Sequence, residues 1–296
     1  ICERPYSSID SNRVEDLWDW MEAQQAKGAR LMAIPHNSNM SGGRLFDLDR
    51  GDGPTIDRAY AERRERLEPL GDVAQNKGQT MDHPDLSPDD HIADYEVFHF
   101  FYAPWAMPNP EPTSYVHHVL GRGLQAQREL GVNPFRFGVI GSTDCHDSFS
   151  PVREQHYSRG AYLGTPGARK VNKTVVKKRL KGGSGGLAAV WAEENTRAGI
   201  FDALERRETF ATSGPRMRVR LFGGWGFAPA MAEAENCAEQ AAAQGVPMGR
   251  ELPEKPEDAA APTLLAWAEK DPNDANLDRI QVVKGWIDGN GTRRNR

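Results

Sequence analysis

Apolar positions at Val14, Leu17, Trp18 and Met21 fall at i, i+3, i+4 and i+7, which predicts a helix over residues 14–27 with Ser11 and Asn12 as caps and Gly28 as a stop. The run Ala29–His36 is short, mostly apolar and polar at its end, so it predicts a buried strand that delivers His36 at its carboxyl edge. A second cycle follows, with a charged helix over Asp57–Leu67 and a weaker strand over Leu70–Gln75. The third cycle is the clearest. Val116, Val119, Leu120 and Leu124 share one face of a helix over Tyr115–Leu130 that stops at Gly131, and Phe135–Gly141 follows as a strand. Asp144 and His146 stand just past its end. Helix followed by strand, repeated with polar chemistry at the strand ends, predicts a parallel α/β sheet or barrel whose site lies on the carboxyl edge.

Residues 148–195 change character. Seven basic residues lie between Arg169 and Lys181, Gly182–Gly186 follows, and the stretch reads as a long Gly/Lys-rich loop. Beyond it a helix is expected over Thr196–Arg207, then strands at Thr209–Thr212 and Arg216–Phe222. The Ala/Glu/Gln-rich stretch 227–262 reads as a surface excursion, and Leu264–Trp267 with Ile280–Ile287 as a β pair around the turn at Asp271–Asn276. Residues 1–213 are thus assigned to the α/β part and 214–296 to a β-rich C-terminal extension.

Composition narrows the function classes. The 37 basic and 42 acidic residues give a net charge of −5, without the global positive field of a non-specific nucleic-acid binder. No apolar run is long enough for a membrane span, and no secretory leader is visible. Cys2, Cys145 and Cys237 are odd in number and far apart, which suits neither a disulfide framework nor a Cys-x-x-Cys metal site. The chain opens on Ile1 and closes just after a strand-like segment, and it reads as a piece of a longer polypeptide.

Asp144-Cys145-His146 after an apolar strand is the sharpest chemical feature, because a carboxylate and an imidazole two apart at a strand mouth can turn into one cleft. An Asx-type turn with an exposed histidine would give the same three residues. His36, at the end of another strand of like polarity, tips the balance towards a metal site with ligands His36, Asp144 and His146. Asn37, Lys77, His83 and Asp72 are second-rank substrate or outer-shell contacts, Lys77 suiting an anionic substrate. The remaining histidines, His117 and His118 among them, read as surface or packing residues. Gly182-Gly-Ser184-Gly-Gly186 matches a nucleophile-elbow pattern in letters only, since a lysine-rich segment stands where a hydrophobic strand is needed. The loop at Asp271 lacks the glycine and terminal glutamate of a calcium loop.

Ala33–Asn37, Phe137–His146, Val190–Arg197, Arg207–Arg216, Leu221–Trp225 and Asp278–Trp286 together resemble the domain-of-unknown-function family 3604, a branch of the PHP (polymerase and histidinol phosphatase) superfamily. The resemblance runs over nearly the whole chain. It implies a distorted (β/α)7 TIM-like barrel, only partly present here, with a multinuclear Zn, Mn or Fe centre at the strand ends. His36, Asp144 and His146 match the late ligands, while the superfamily's early His-x-His would lie before Ile1. The family usually has Val-Glu where Gly71-Asp72 stand. The resemblance implies a metal-dependent phosphoesterase using metal-activated water, with an anionic small molecule as substrate. A hydrolase of C–N or sulfate-ester bonds and a non-catalytic binding module are the alternatives. The chain by itself is expected to be poorly active.

Overall fold

The computed structural model describes residues 4–48, 56–98, 110–144 and 185–295. Helix α1, Val14–Gln25, buries Trp18 and Met21 against Leu67, with Tyr60, Leu31 and Ala33 around them. Arg13 rather than Ser11 or Asn12 occupies its N-cap and makes no side-chain capping bond; Ser11 lies just before it, its Oγ accepting from the Arg13 N–H and donating to Asp16 in the first turn. Helix α2, Arg58–Leu67, is capped by Asp57, whose carboxylate accepts from the Tyr60 N–H at 2.8 Å. Helix α3, Val116–Leu130, ends as expected on Gly131 in the left-handed region (φ 79°).

Strand β1, Leu70–Gln75, read as the weaker strand, is buried along its whole length. It pairs antiparallel with β2, Gly78–Gln79, and parallel with β3, Gly138–Gly141. The register of β1 against β3 slips between Asp72 and Ala74, where two residues of β1 face one of β3. Strand β4, Leu187–Val190, pairs antiparallel with β5, Thr209–Thr212. β3 lies against this pair, with Thr209 Oγ1 donating to the Val139 carbonyl at 2.9 Å. Helix α4, Arg197–Glu205, connects β4 to β5 and is capped by Thr196.

The barrel expectation is not met. Among the described residues the strands form separate open sheets of two or three strands, and no ladder closes on itself. The segment 29–36 departs from the expectation: it forms no strand and is mostly half-buried. It touches β1 and its approach through two backbone bonds, Ala33 N–H to the Leu67 carbonyl and Asp72 N–H to the Pro35 carbonyl, and Pro35 has no N–H to extend them. Among the described residues parallel order survives only between β1 and β3, while β2, β4 and β5 run antiparallel to their partners.

Two C-terminal expectations also change. Strand β8, Thr263–Glu269, pairs with β6, Arg218–Gly224, rather than with residues 280–287. The 227–262 stretch is no mere excursion, because Phe227, Met231 and Ala241 from it pack with Phe222 of β6 in a core of their own. It contributes helix α5, Cys237–Gln244, and strand β7, Val246–Pro247, which joins β6. Strands β9, Gly285–Ile287, and β10, Arg293–Asn295, form a hairpin. Arg293 of this hairpin donates to the His118 carbonyl of α3 at 3.0 Å. The expected long loop at 148–195 is described only from residue 185, and there it includes β4. Its basic run lies outside the described residues, as does His146. Among the described residues no helix is long and apolar enough to cross a membrane.

Candidate functional site at the ends of β1 and β3

β1 and β3 run in parallel, so residues 76–77 and 142–144 emerge at the same edge, and the segment carrying His36 joins them through the Pro35 carbonyl. A continuous polar chain crosses this edge. Asn37 Nδ2 contacts His36 Nδ1 at 2.8 Å, and Asn37 Oδ1 meets Gln75 Nε2. Gln75 Oε1 accepts from the Lys77 backbone N–H at 3.1 Å and from Lys77 Nζ at 3.4 Å. Lys77 Nζ is paired in turn with the Asp144 carboxylate, whose backbone carbonyl accepts from Asn76 Nδ2 at 3.3 Å. Both Asn37 (φ 57°) and Asp144 (φ 47°) sit in the left-handed region, which Asn and Asp tolerate best among residues with a Cβ.

Asp72 completes the edge from the interior of β1. Its Oδ2 accepts from Ser142 Oγ at 3.0 Å, while its Oδ1 is buried with no hydrogen-bond partner among the described residues. Burial pushes its carboxyl above the ordinary range, against the hydrogen bond from Ser142, the nearby Ala74 N–H and the positive charges of His36 and Lys77.

Of the residues singled out in the sequence, His36, Asn37, Asp72, Lys77 and Asp144 therefore share one neighbourhood. His36 is exposed there, while Lys77 and Asp72 are buried. His146 falls outside the described residues. Among the described residues no group of three His, Cys, Asp or Glu side chains forms a metal-binding cluster. Gln75, Asn76 and Ser142 were missed. The available signal was a glutamine inside a strand buried on both faces, which demands polar partners.

His83 joins a different group. Its backbone N–H donates to Asp82 Oδ1 at 2.8 Å, and its ring lies 5.4 Å from that of Tyr115. Asp82 is the hub of this group, with its Oδ2 2.6 Å from His117 Nδ1 and its Oδ1 3.3 Å from His118 Nε2. His117 and His118, read from sequence as surface or packing residues, thus converge on a buried carboxylate. From the other side, Asn295 Nδ2 lies 2.7 Å from His117 Nε2. Burial pushes the Asp82 carboxyl up, but the bonds from His117, His118, Ser87 and the His83 N–H outweigh it and hold the carboxyl well below the usual range. Burial, aided by the charges of Asp82 and Asp85, raises the Tyr115 hydroxyl to about 12.

Because the folded-state value of Asp82 lies below that of the unfolded chain, its contribution is fully present above about pH 4 and is lost as pH falls further. Asp82→Asn should therefore destabilise the chain by about 2 kcal/mol at pH 7, the worth of hydrogen bonds to a charged group. It should also flatten the loss of stability below pH 4. Urea midpoints of the two chains at pH 7, 5 and 3 check this, and parallel acid limbs would contradict it.

The sequence profile of a family described as "Protein of unknown function (DUF3604)" matches residues 2–296. No curated protein and no solved structure matches the chain.

Proposed function

The chain belongs to the DUF3604 family, and from that premise we propose that it is a metal-dependent hydrolase acting on phosphoesters, akin to the PHP superfamily that its motifs resemble. The observation that carries this reading is the Asp72–Lys77–Asp144 group at the shared edge of β1 and β3, with a buried Asp72 oxygen left without a partner. A desolvated carboxylate oxygen with a raised protonation range gains from a hard divalent cation, and a second carboxylate on the same edge is the donor type such cations take. Asp144 and Asp72, with His146 two residues past Asp144, are the side chains that would hold it.

A cation bound there supplies Lewis acidity to a phosphoryl oxygen and acidifies the water it binds. The chain's own groups do the rest. Ser142 orients Asp72 by donating to its Oδ2. Lys77, held by Gln75 and buried to 5% exposure, neutralises Asp144 in the absence of a cation. With a cation held by that carboxylate, the Lys77 ammonium would be the positive group at this edge suited to an anionic substrate. The net charge of −5 makes such local positive groups necessary for drawing an anion in.

The test is metal content after dialysis against Zn²⁺ or Mn²⁺, for the unaltered chain, Asp144→Asn and Asp72→Asn, with circular dichroism to verify folding. Retention should fall by at least about tenfold in both variants, as for loss of a metal-holding group. Equally negligible metal in all three overturns the reading. A parallel panel of phosphomonoester, sulfate ester and amide substrates identifies the bond, and turnover of either of the latter alone overturns the phosphoester assignment.

A further inference from the structure

Gln75 is 2% exposed, and the orientation of its amide is not free. Its oxygen side faces two nitrogens of Lys77, the backbone N–H at 3.1 Å and Nζ at 3.4 Å, and both are donors under any assignment of amide rotamers. Gln75 must therefore present Oε1 to Lys77 and Nε2 to Asn37. Asn37 must answer Nε2 with Oδ1, which turns its own Nδ2 towards His36. Asn37 Nδ2, 2.8 Å from His36 Nδ1, is a donor, so Nδ1 accepts and the proton of the neutral imidazole sits on Nε2. A ring that coordinates a metal through Nε2 requires the opposite arrangement, with the proton on Nδ1 and an acceptor facing it.

We infer that Gln75 is a positioning residue that fixes His36 as an Nε2–H donor, and that His36 serves the site by donating to an oxygen of an anionic substrate rather than by ligating the metal. This rests on the anionic-substrate reading above and reassigns one of its residues. The exposed imidazole and the Lys77 ammonium, tied through the amides of Asn37 and Gln75, then supply a neutral and a cationic donor for an anionic substrate at the same edge. The relay also makes the role switchable in a defined way. In Gln75→Glu the carboxylate accepts on both sides, so Asn37 must offer it Nδ2 and turn Oδ1 to His36, which moves the ring proton to Nδ1. Asn37→Asp reaches the same end by placing a carboxylate oxygen directly against Nδ1, and Asp tolerates the left-handed backbone of residue 37.

Long-range ¹H–¹⁵N correlation spectra of histidine-labelled chain, with His36→Gln to assign the ring, read the tautomer directly. At a pH where the ring is neutral, the unaltered chain should show the Nε2–H form and both Gln75→Glu and Asn37→Asp the Nδ1–H form. Added inorganic phosphate should move the His36 Nε2 resonance in the unaltered chain. An Nδ1–H form in the unaltered chain, one tautomer in all three chains, or a ring indifferent to phosphate overturns the inference. His36→Gln should keep the metal content of the unaltered chain, and a tenfold loss would return His36 to the ligands. If no chain retains metal, the hydrolase reading fails by itself while the tautomer result still decides the role of Gln75.

Discussion

Replacing Arg64 by Met should lower the stability of the chain by about 3–5 kcal/mol, the range for stranding one member of a buried ion pair. Arg64 and Glu68 are 5% and 7% exposed in their side chains and meet at 3.1 Å across one turn at the end of α2. Each has further partners: Arg64 donates to the Leu45 carbonyl at 2.6 Å and lies over the rings of Phe46 and Phe135, while Glu68 accepts from Trp18 Nε1 at 3.1 Å. The pair thereby ties the α1 cluster around Trp18 to the aromatic core of Phe46, Val119 and Phe135. Met fills the volume but leaves Glu68 charged in an apolar setting. Adding Glu68→Gln removes that charge and keeps an acceptor for Trp18, so the double variant should recover a substantial part of the loss. Urea midpoints of the three chains measure this. A single-variant loss below about 1 kcal/mol, the level of an exposed pair, would show that the pair is solvated.

Gly186→Ala should destabilise by about 3 kcal/mol, at the upper end for overpacking, because the contacts it makes are with backbone. A Cβ at residue 186 would press on the carbonyl oxygen of Ala74 and approach that of Thr212 to 2.8 Å. Neither atom can rotate away. Gly141, opposite, is equally confined, with the Leu187 and Thr212 carbonyls each 2.9 Å from its would-be Cβ. These two glycines let β3 and β1 close on the β4–β5 pair. The consequence extends to chemistry, since Gly186 N–H donates to the Ser142 carbonyl at 2.6 Å and Ser142 holds Asp72. Thermal unfolding gives the stability change, and metal retention should fall with it in the fraction that remains folded. Gly226, with open space around it, is the control position, and alanine there should cost far less.

Helices α1 to α3 were legible because their signals are local: the spacing of Val14 to Met21, the charged run from Asp57 to Leu67 and Gly131 as a stop all act within a few residues. The polar edge was legible too, since Lys77 and Asp144 do follow parallel strands. What was not legible depends on distant partners. The run at 29–36 has strand-like composition, yet its pairing depends on how much backbone β1 offers it, and the chain supplies only two bonds. Ala241 is fully buried by residues of β6 and the preceding turn, although alanine in an Ala/Glu/Gln stretch gives no sign of burial. Leu264–Trp267 could pair with either flank, and nothing in its own letters selects β6. His117 and His118 sit at the start of a helix with apolar neighbours, and only the fold brings Asp82, 35 positions earlier, against them.

The slipped register in β1 has a consequence for the whole site. In an unbroken strand, positions 72 and 75 differ by an odd number and belong to opposite faces. Here both serve the one polar edge, Asp72 through the Ser142 hydroxyl and Gln75 through Asn37 and Lys77. One surplus residue at 73 restores the parity. Removing it would leave the composition of the edge intact and send either the carboxylate or the amide to the wrong side of the sheet, so that the site is written in the count of residues as much as in their kinds.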